Sequence, residues 1–125
     1  METTYGLSQA EFKLAEIIWT NQPIPASALV KMAEESFGWK RTTTYTLLKR
    51  MIDKGVMKNE NAVVSAIVSR EEFFAKQSHN FVDDTFGGSL PLLIASFMRG
   101  KKLTQAQAEE IRQLIDTGEW DEGGE

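Results

Sequence analysis

Residues 39–55, WKRTTTYTLLKRMIDKG, constrain the fold of this chain more than any other stretch. Leu47, Leu48, Met51 and Ile52 recur at helical spacing and form an apolar stripe that must be seated on a core. Gly55 ends that helix. Thr42, Thr43, Thr44 and Thr46 crowd its first turns, although β-branched threonine is a poor helix former. Such a cluster indicates a task beyond making a helix. The spacing turns Thr44 inward with Leu47 and Leu48 and leaves Thr42, Thr43, Tyr45 and Thr46 on the outer side. Lys40, Arg41, Lys49, Arg50 and Lys54 surround them. Threonine hydroxyls donate and accept, and threonine methyls can meet thymine methyls. Cations reach phosphates. A helix with this outer face meets the requirements of the second helix of a helix-turn-helix.

The segments before and after it complete a small domain. Ser8 and Glu11 have capping-box spacing, Leu7 and Phe12 that of a hydrophobic staple, and Phe12, Leu14, Ala15, Ile18 and Trp19 supply a buried stripe. Asn21, Pro23 and Pro25 stop this helix, and a second starts near Pro25, with Leu29, Met32 or Ala33, and Phe37 on its apolar side. After Gly55 the pattern alternates: Val56 to Asn59 predicts a strand, Glu60-Asn61-Ala62 a tight turn and Val63 to Val68 a second strand. Three helices and a hairpin make a winged helix.

A different pattern begins at Ser69. Ser69 and Glu72 predict a capping box on a long helix with an aromatic stripe of Phe73, Phe74, Phe81 and Phe86. Gly87-Gly88-Ser89 breaks it. A short, nearly all-apolar helix follows with Leu90, Leu93, Ile94 and Phe97. A last helix, capped by Thr104, turns Ala108, Ile111, Leu114 and Ile115 inward. These helices are too apolar for a surface appendage and too small for an independent core. Either they fold back on the winged helix or a second copy covers them, and symmetry favours the second copy. The expected fold class is therefore mainly α with a small β-hairpin. Residues 1–69 form a winged helix-turn-helix, 70–118 a three-helix dimerisation domain, and 119–125 an acidic, frayed tail.

Charge is informative only when divided. The whole chain has a formal net charge of −4. Residues 1–70 carry nine Lys and Arg against seven Asp and Glu, a net of +2, and residues 71–125 carry five against eleven, a net of −6. Residues 36–58 hold Lys40, Arg41, Lys49, Arg50, Lys54 and Lys58 against Asp53 alone, a net of +5. Affinity for phosphate depends on the local patch, although solvated helices also carry lysines without any partner.

Other chemistry is thin. There are no cysteines, so there is neither a disulfide nor a thiolate metal site, and the cytoplasm is the expected compartment. No apolar run is long enough to insert in a membrane, and no basic segment leads an apolar block at the N-terminus. His79 is the sole histidine, and with Asp83 it makes no metal site. No nucleophile stands beside a base in a known motif, and no Gly-rich phosphate loop follows a strand. No enzyme activity and no cofactor are expected.

Trp19 ends the first helix and Trp39, twenty positions later, precedes the third; TTTYTLLKRMIDKG, VSREEF, the Phe86-Gly87-Gly88-Ser89 break and an L-T-x5-E-I-x-x-L-I ending follow in order. In this order and spacing the chain resembles the penicillinase-repressor family, with its methicillin-resistance and copper-responsive branches, from about Leu7 to Asp116. The resemblance implies a winged-helix domain joined to a three-helix dimerisation domain, acting as a homodimer on inverted-repeat, double-stranded operator DNA to repress transcription. It places base-reading positions on Thr42, Thr43, Tyr45 and Thr46, with Lys49 and Arg50 beside them. Lys40, Arg41 and Lys58 complete the expected DNA-binding set. The expected dimerisation set is Phe73, Phe74, Phe81, Phe86, Leu90, Leu93, Ile94, Phe97, Ile111 and Leu114.

Three departures stand out. The wing turn, Glu60-Asn61-Ala62, lacks the basic residues and tyrosines of many relatives, leaving Lys58 as its only cation. Cysteine-based copper sensing is excluded. In β-lactam-responsive relatives a membrane sensor protease cuts an Asn-Phe bond, whereas the aligned bond here is Ser96-Phe97. The competing function class is a winged helix used only for protein–protein assembly, since that fold does not fix function.

Overall fold

A computed structural model describes residues 6–119. The tail expectation therefore lies outside the described residues from position 120 onward. The described elements run α1 (Gln9–Asn21), β1 (Ile24–Pro25), α2 (Ala26–Phe37), α3 (Arg41–Asp53), β2 (Met57–Glu60), β3 (Val63–Ala66), α4 (Arg70–Phe86), α5 (Leu90–Phe97) and α6 (Gln105–Thr117).

Local chemistry sets the helix ends. At α1, Ser8 Oγ accepts from Glu11 N and the Glu11 carboxylate accepts from Ser8 N, the reciprocal bonds of a capping box. The same box recurs at α4 with Ser69 and Glu72, and at α6 with Thr104 and Gln107. α2 ends on Gly38, whose φ of 72° is left-handed backbone that glycine adopts without a steric penalty.

The sheet has three strands rather than the two of the sequence reading. β1 pairs antiparallel with β3, Ile24 opposite Val64 and Pro25 opposite Val63, and β2 lies on the other side of β3. A two-residue strand that follows Pro23 and itself contains Pro25 leaves no alternation to detect, so the two prolines read only as helix stops. The hairpin turns through Asn61 and Ala62, with φ of 56° and 65°. This pair of left-handed residues matches the twist of the flanking strands.

One core holds α1, α2, α3 and the sheet together. Leu14 and Ile18 of α1, Leu29 and Ala33 of α2, Leu48 and Met51 of α3, and Met57 and Val64 of the hairpin are buried against one another. The core extends into α4. Phe73, only 3% exposed, stacks on Phe12 with ring centroids 5.7 Å apart and lies 5.5 Å from Trp19. Trp19 Nε1 donates to the Val68 carbonyl at 2.9 Å.

Phe73 therefore departs from its expected role: its ring is spent inside the winged helix of its own chain and is not free for a partner. An aromatic stripe on a helix looks the same in sequence whichever surface covers it. Leu114 and Ile115, expected to face inward, are 71% and 53% exposed in the single chain.

The core boundary yields a prediction. A chain ending after Ser69 should unfold at lower urea concentration than one ending after Asn80, by about 3–5 kcal/mol, the usual cost of emptying a buried phenylalanine site. Equal midpoints would show that α4 adds nothing to the winged helix.

Candidate nucleic-acid interface

The core fixes the rotational phase of α3. Thr44, Leu47, Leu48 and Met51 are buried on one side. That leaves Thr42, Thr43, Thr46, Lys49 and Arg50 exposed on the other, with Tyr45 half-buried at the margin. Thr44 Oγ1 is buried without a hydrogen-bond partner among the described residues. It occupies a core position, as its spacing with Leu47 predicts, and has no access to an external ligand.

Lys40 precedes the first turn, and Arg41 opens it with its guanidinium 5.2 Å from the centre of the Tyr45 ring. This cation–π arrangement holds a planar donor group beside the exposed threonines. Behind the helix Phe37 and Trp39 lie 4.7 Å apart, closing the turn between α2 and α3.

The electrostatics differ from the simple local sum of +5. Lys54 Nζ bonds the Glu11 carboxylate at 2.7 Å and the Gly6 carbonyl at 2.7 Å. Lys54 is thus a structural tie between α3 and α1. The partner, Glu11, lies 43 positions away, where the summed window could not register it. Lys49 reaches Asp53 at 3.4 Å and Lys58 reaches Glu60 at 3.7 Å, both as exposed pairs that solvent screens. Lys40, Arg41 and Arg50 make no ion pair with a described carboxylate. The wing, whose one cation faces its own glutamate, contributes little positive field.

Glu11 is 2% exposed. Burial pushes its carboxyl pKa up, but hydrogen bonds from Lys54 and Ser8 and the lysine charge outweigh burial and leave it below its ordinary value of 4.5.

The C-terminal helices bring part of the expected dimerisation set together. Leu93, Ile94, Phe97, Leu103, Ile111 and Leu114 line an open apolar groove of about 830 Å³ between α5 and α6. Phe81 and Phe86 meet each other edge to face at 5.6 Å on α4. Phe74 stays by the winged helix, 6.1 Å from Phe12. Leu90 is exposed at the start of α5. Ser96 and Phe97 lie exposed at its C-terminal end, with Lys101 over the Phe97 ring.

A helix-turn-helix, a hairpin wing and an outward polar face on the second helix of the motif define a winged-helix protein. A family model described as penicillinase repressor matches residues 7–117, and the chain belongs to that family. It is 26% identical over 117 residues to the methicillin resistance regulatory protein MecI of Staphylococcus aureus, covering 90% of this chain and 95% of that protein. It is 22% identical over 114 residues to the penicillinase repressor of Bacillus licheniformis, covering 88% and 89%. The solution structure of the DNA binding domain of the repressor BlaI superposes with a TM-score of 0.49 at 24% identity, over 58% of this chain and 93% of that one.

The Glu11 tie makes a pH prediction. A lowered folded-state pKa contributes stability that is present above about pH 4.5 and is lost as pH falls through the folded value. Glu11→Gln should cost about 1–3 kcal/mol at neutral pH. It should also flatten the acid limb of a stability-versus-pH curve measured by urea unfolding. An acid limb as steep as that of the unaltered chain would show that Glu11 titrates normally.

Proposed function

We propose that this protein is a transcriptional repressor that binds an inverted-repeat operator as a homodimer, with α3 in the major groove. The observation that carries the reading is the outer face of α3. Thr42, Thr43 and Thr46 stand exposed beside Arg41 and Arg50 over a buried apolar seat. Short hydroxyls and a half-buried tyrosine discriminate bases by edge contacts, while Lys40, Lys49 and Arg50 position the helix on phosphates. The relatives are named as repressors of penicillinase and regulators of methicillin resistance, which supports the same role here.

The homodimer is supported by apolar exposure. Leu90, Leu92, Phe97, Met98, Leu114 and Ile115 are all between 44% and 71% exposed in one chain, and Phe97 and Leu114 also line the α5–α6 groove. A patch of this composition is costly in water. A second copy supplies an identical apolar surface under two-fold symmetry, and the same symmetry accounts for an inverted repeat.

Selection of bound duplexes from random DNA tests the whole reading. Two symmetry-related half-sites should emerge, with centres about one or two helical turns apart. Tyr45→Ala or Thr46→Ala should relax base preference by about 1–3 kcal/mol per lost contact, and Arg50→Ala should weaken all duplexes evenly and reduce the salt slope. If no duplex is enriched and all three variants behave alike, α3 is not the reading element and assembly with another protein becomes the better account.

A further inference from the structure

α4 meets the winged helix through contacts of two physical kinds. Phe73, packed among Phe12 and Trp19, is an apolar anchor. Ring packing resists separation strongly but constrains small tilts weakly, because its main contribution follows buried area rather than direction and the orientation preference of ring pairs is a smaller addition. Arg70 is directional. Its Nη2 donates to Glu16 Oε1 at 2.7 Å and to Thr20 Oγ1 at 3.1 Å, and its guanidinium lies 5.7 Å from the centre of the Trp19 ring. Glu16, Trp19 and Thr20 all belong to α1, so one side chain at the first position of α4 is fixed along and across that helix.

Arg70 and Glu16 are 36% and 38% exposed. A pair this wet adds little to folding stability, so its role is better sought in the angle it sets. α4 has 17 residues, a rod of about 25 Å. A tilt of roughly 10° at Arg70 moves the far end by roughly 4 Å, more than the rise of one base pair, about 3.4 Å. α4 in turn packs against α5, whose Leu93, Ile94 and Phe97 line the apolar groove.

We infer that Arg70 is a positioning residue that sets the separation of the two recognition helices, and with it the spacer length between operator half-sites. The inference rests on the dimeric, DNA-binding reading given above. Arg70 contacts neither DNA nor the partner copy in this account; it acts through the angle between α1 and α4.

The test is affinity for a series of duplexes that carry the selected half-sites at every spacer length, together with a duplex carrying a single half-site. For the unaltered chain, moving the spacer by one base pair should forfeit the second contact and cost roughly a hundredfold in affinity. In Arg70→Ala and in Glu16→Ala that penalty should shrink to about threefold, while affinity for the single half-site stays unchanged. The exchanged pair, Glu16→Arg with Arg70→Glu, should restore the narrow spacer profile. An equal loss at every spacer would reduce Arg70 to a stability role and overturn the inference, as would an unchanged profile or a broad profile in the unaltered chain. An unaltered chain that binds no duplex would instead refute the proposed function itself, and this inference with it.

Discussion

The insertion of Phe73 between Phe12 and Trp19 is the constraint on which the rest of the structure depends. It places the first turns of α4 inside the winged-helix core while the remainder of α4 runs on to the C-terminal helices. A helix that belongs to two packing units transmits orientation between them, because an α-helix does not bend sharply without a break. The break comes only at Gly87 and Gly88, where φ values of 59° and 84° turn the chain toward α5. Up to that point the direction of α4 is set by what α1 presents to it.

The same core determines what α3 offers to a ligand. With Leu47, Leu48 and Met51 buried and Lys54 tied to Glu11, α3 can neither rotate nor slide without exposing apolar area or breaking a buried ion pair. Its outer row is therefore presented in one orientation. Rigid presentation lowers the ordering cost of binding. Charge serves this arrangement unevenly: Lys54 is consumed in holding the helix, Lys49 and Lys58 have carboxylates nearby, and Arg41 is steadied by Tyr45. The cations available to an external anion sit mostly at Lys40, Arg41 and Arg50, at the two ends of the exposed threonine row.

Much of this was legible in the sequence, for identifiable reasons. Capping boxes at Ser8 and Ser69 are local and self-contained, so three-residue spacing sufficed to locate two helix starts. The inward turn of Thr44 followed from its spacing to Leu47 and Leu48, since helical geometry alone fixes which residues share a face. What escaped depends on distant partners. β1 is a strand only because Val63 and Val64 lie beside it. Glu11 reads as an N-terminal capping residue, and nothing near it in sequence announces Lys54. Arg70 reads as part of a capping sequence, and its link to Glu16 spans 54 positions. Phe73 and Phe81 belong to one aromatic stripe, yet the first is buried by α1 and the second is exposed; periodicity gives a face but not what covers it. Leu114 and Ile115, read as facing inward, are exposed in the single chain for the same reason, because that reading takes a second copy as the cover.

The central claim is that the outer face of α3 meets DNA while the α5–α6 surface meets a second copy. Residue-resolved amide shifts of the labelled full chain, followed as an operator duplex obtained by selection is added, test it most directly. The account predicts large shifts at Thr42, Thr43, Tyr45, Thr46 and Arg50, with Leu93, Ile111 and Leu114 little changed and already in a dimer environment before DNA is added. Shifts concentrated on α5 and α6, with α3 unmoved, would contradict it.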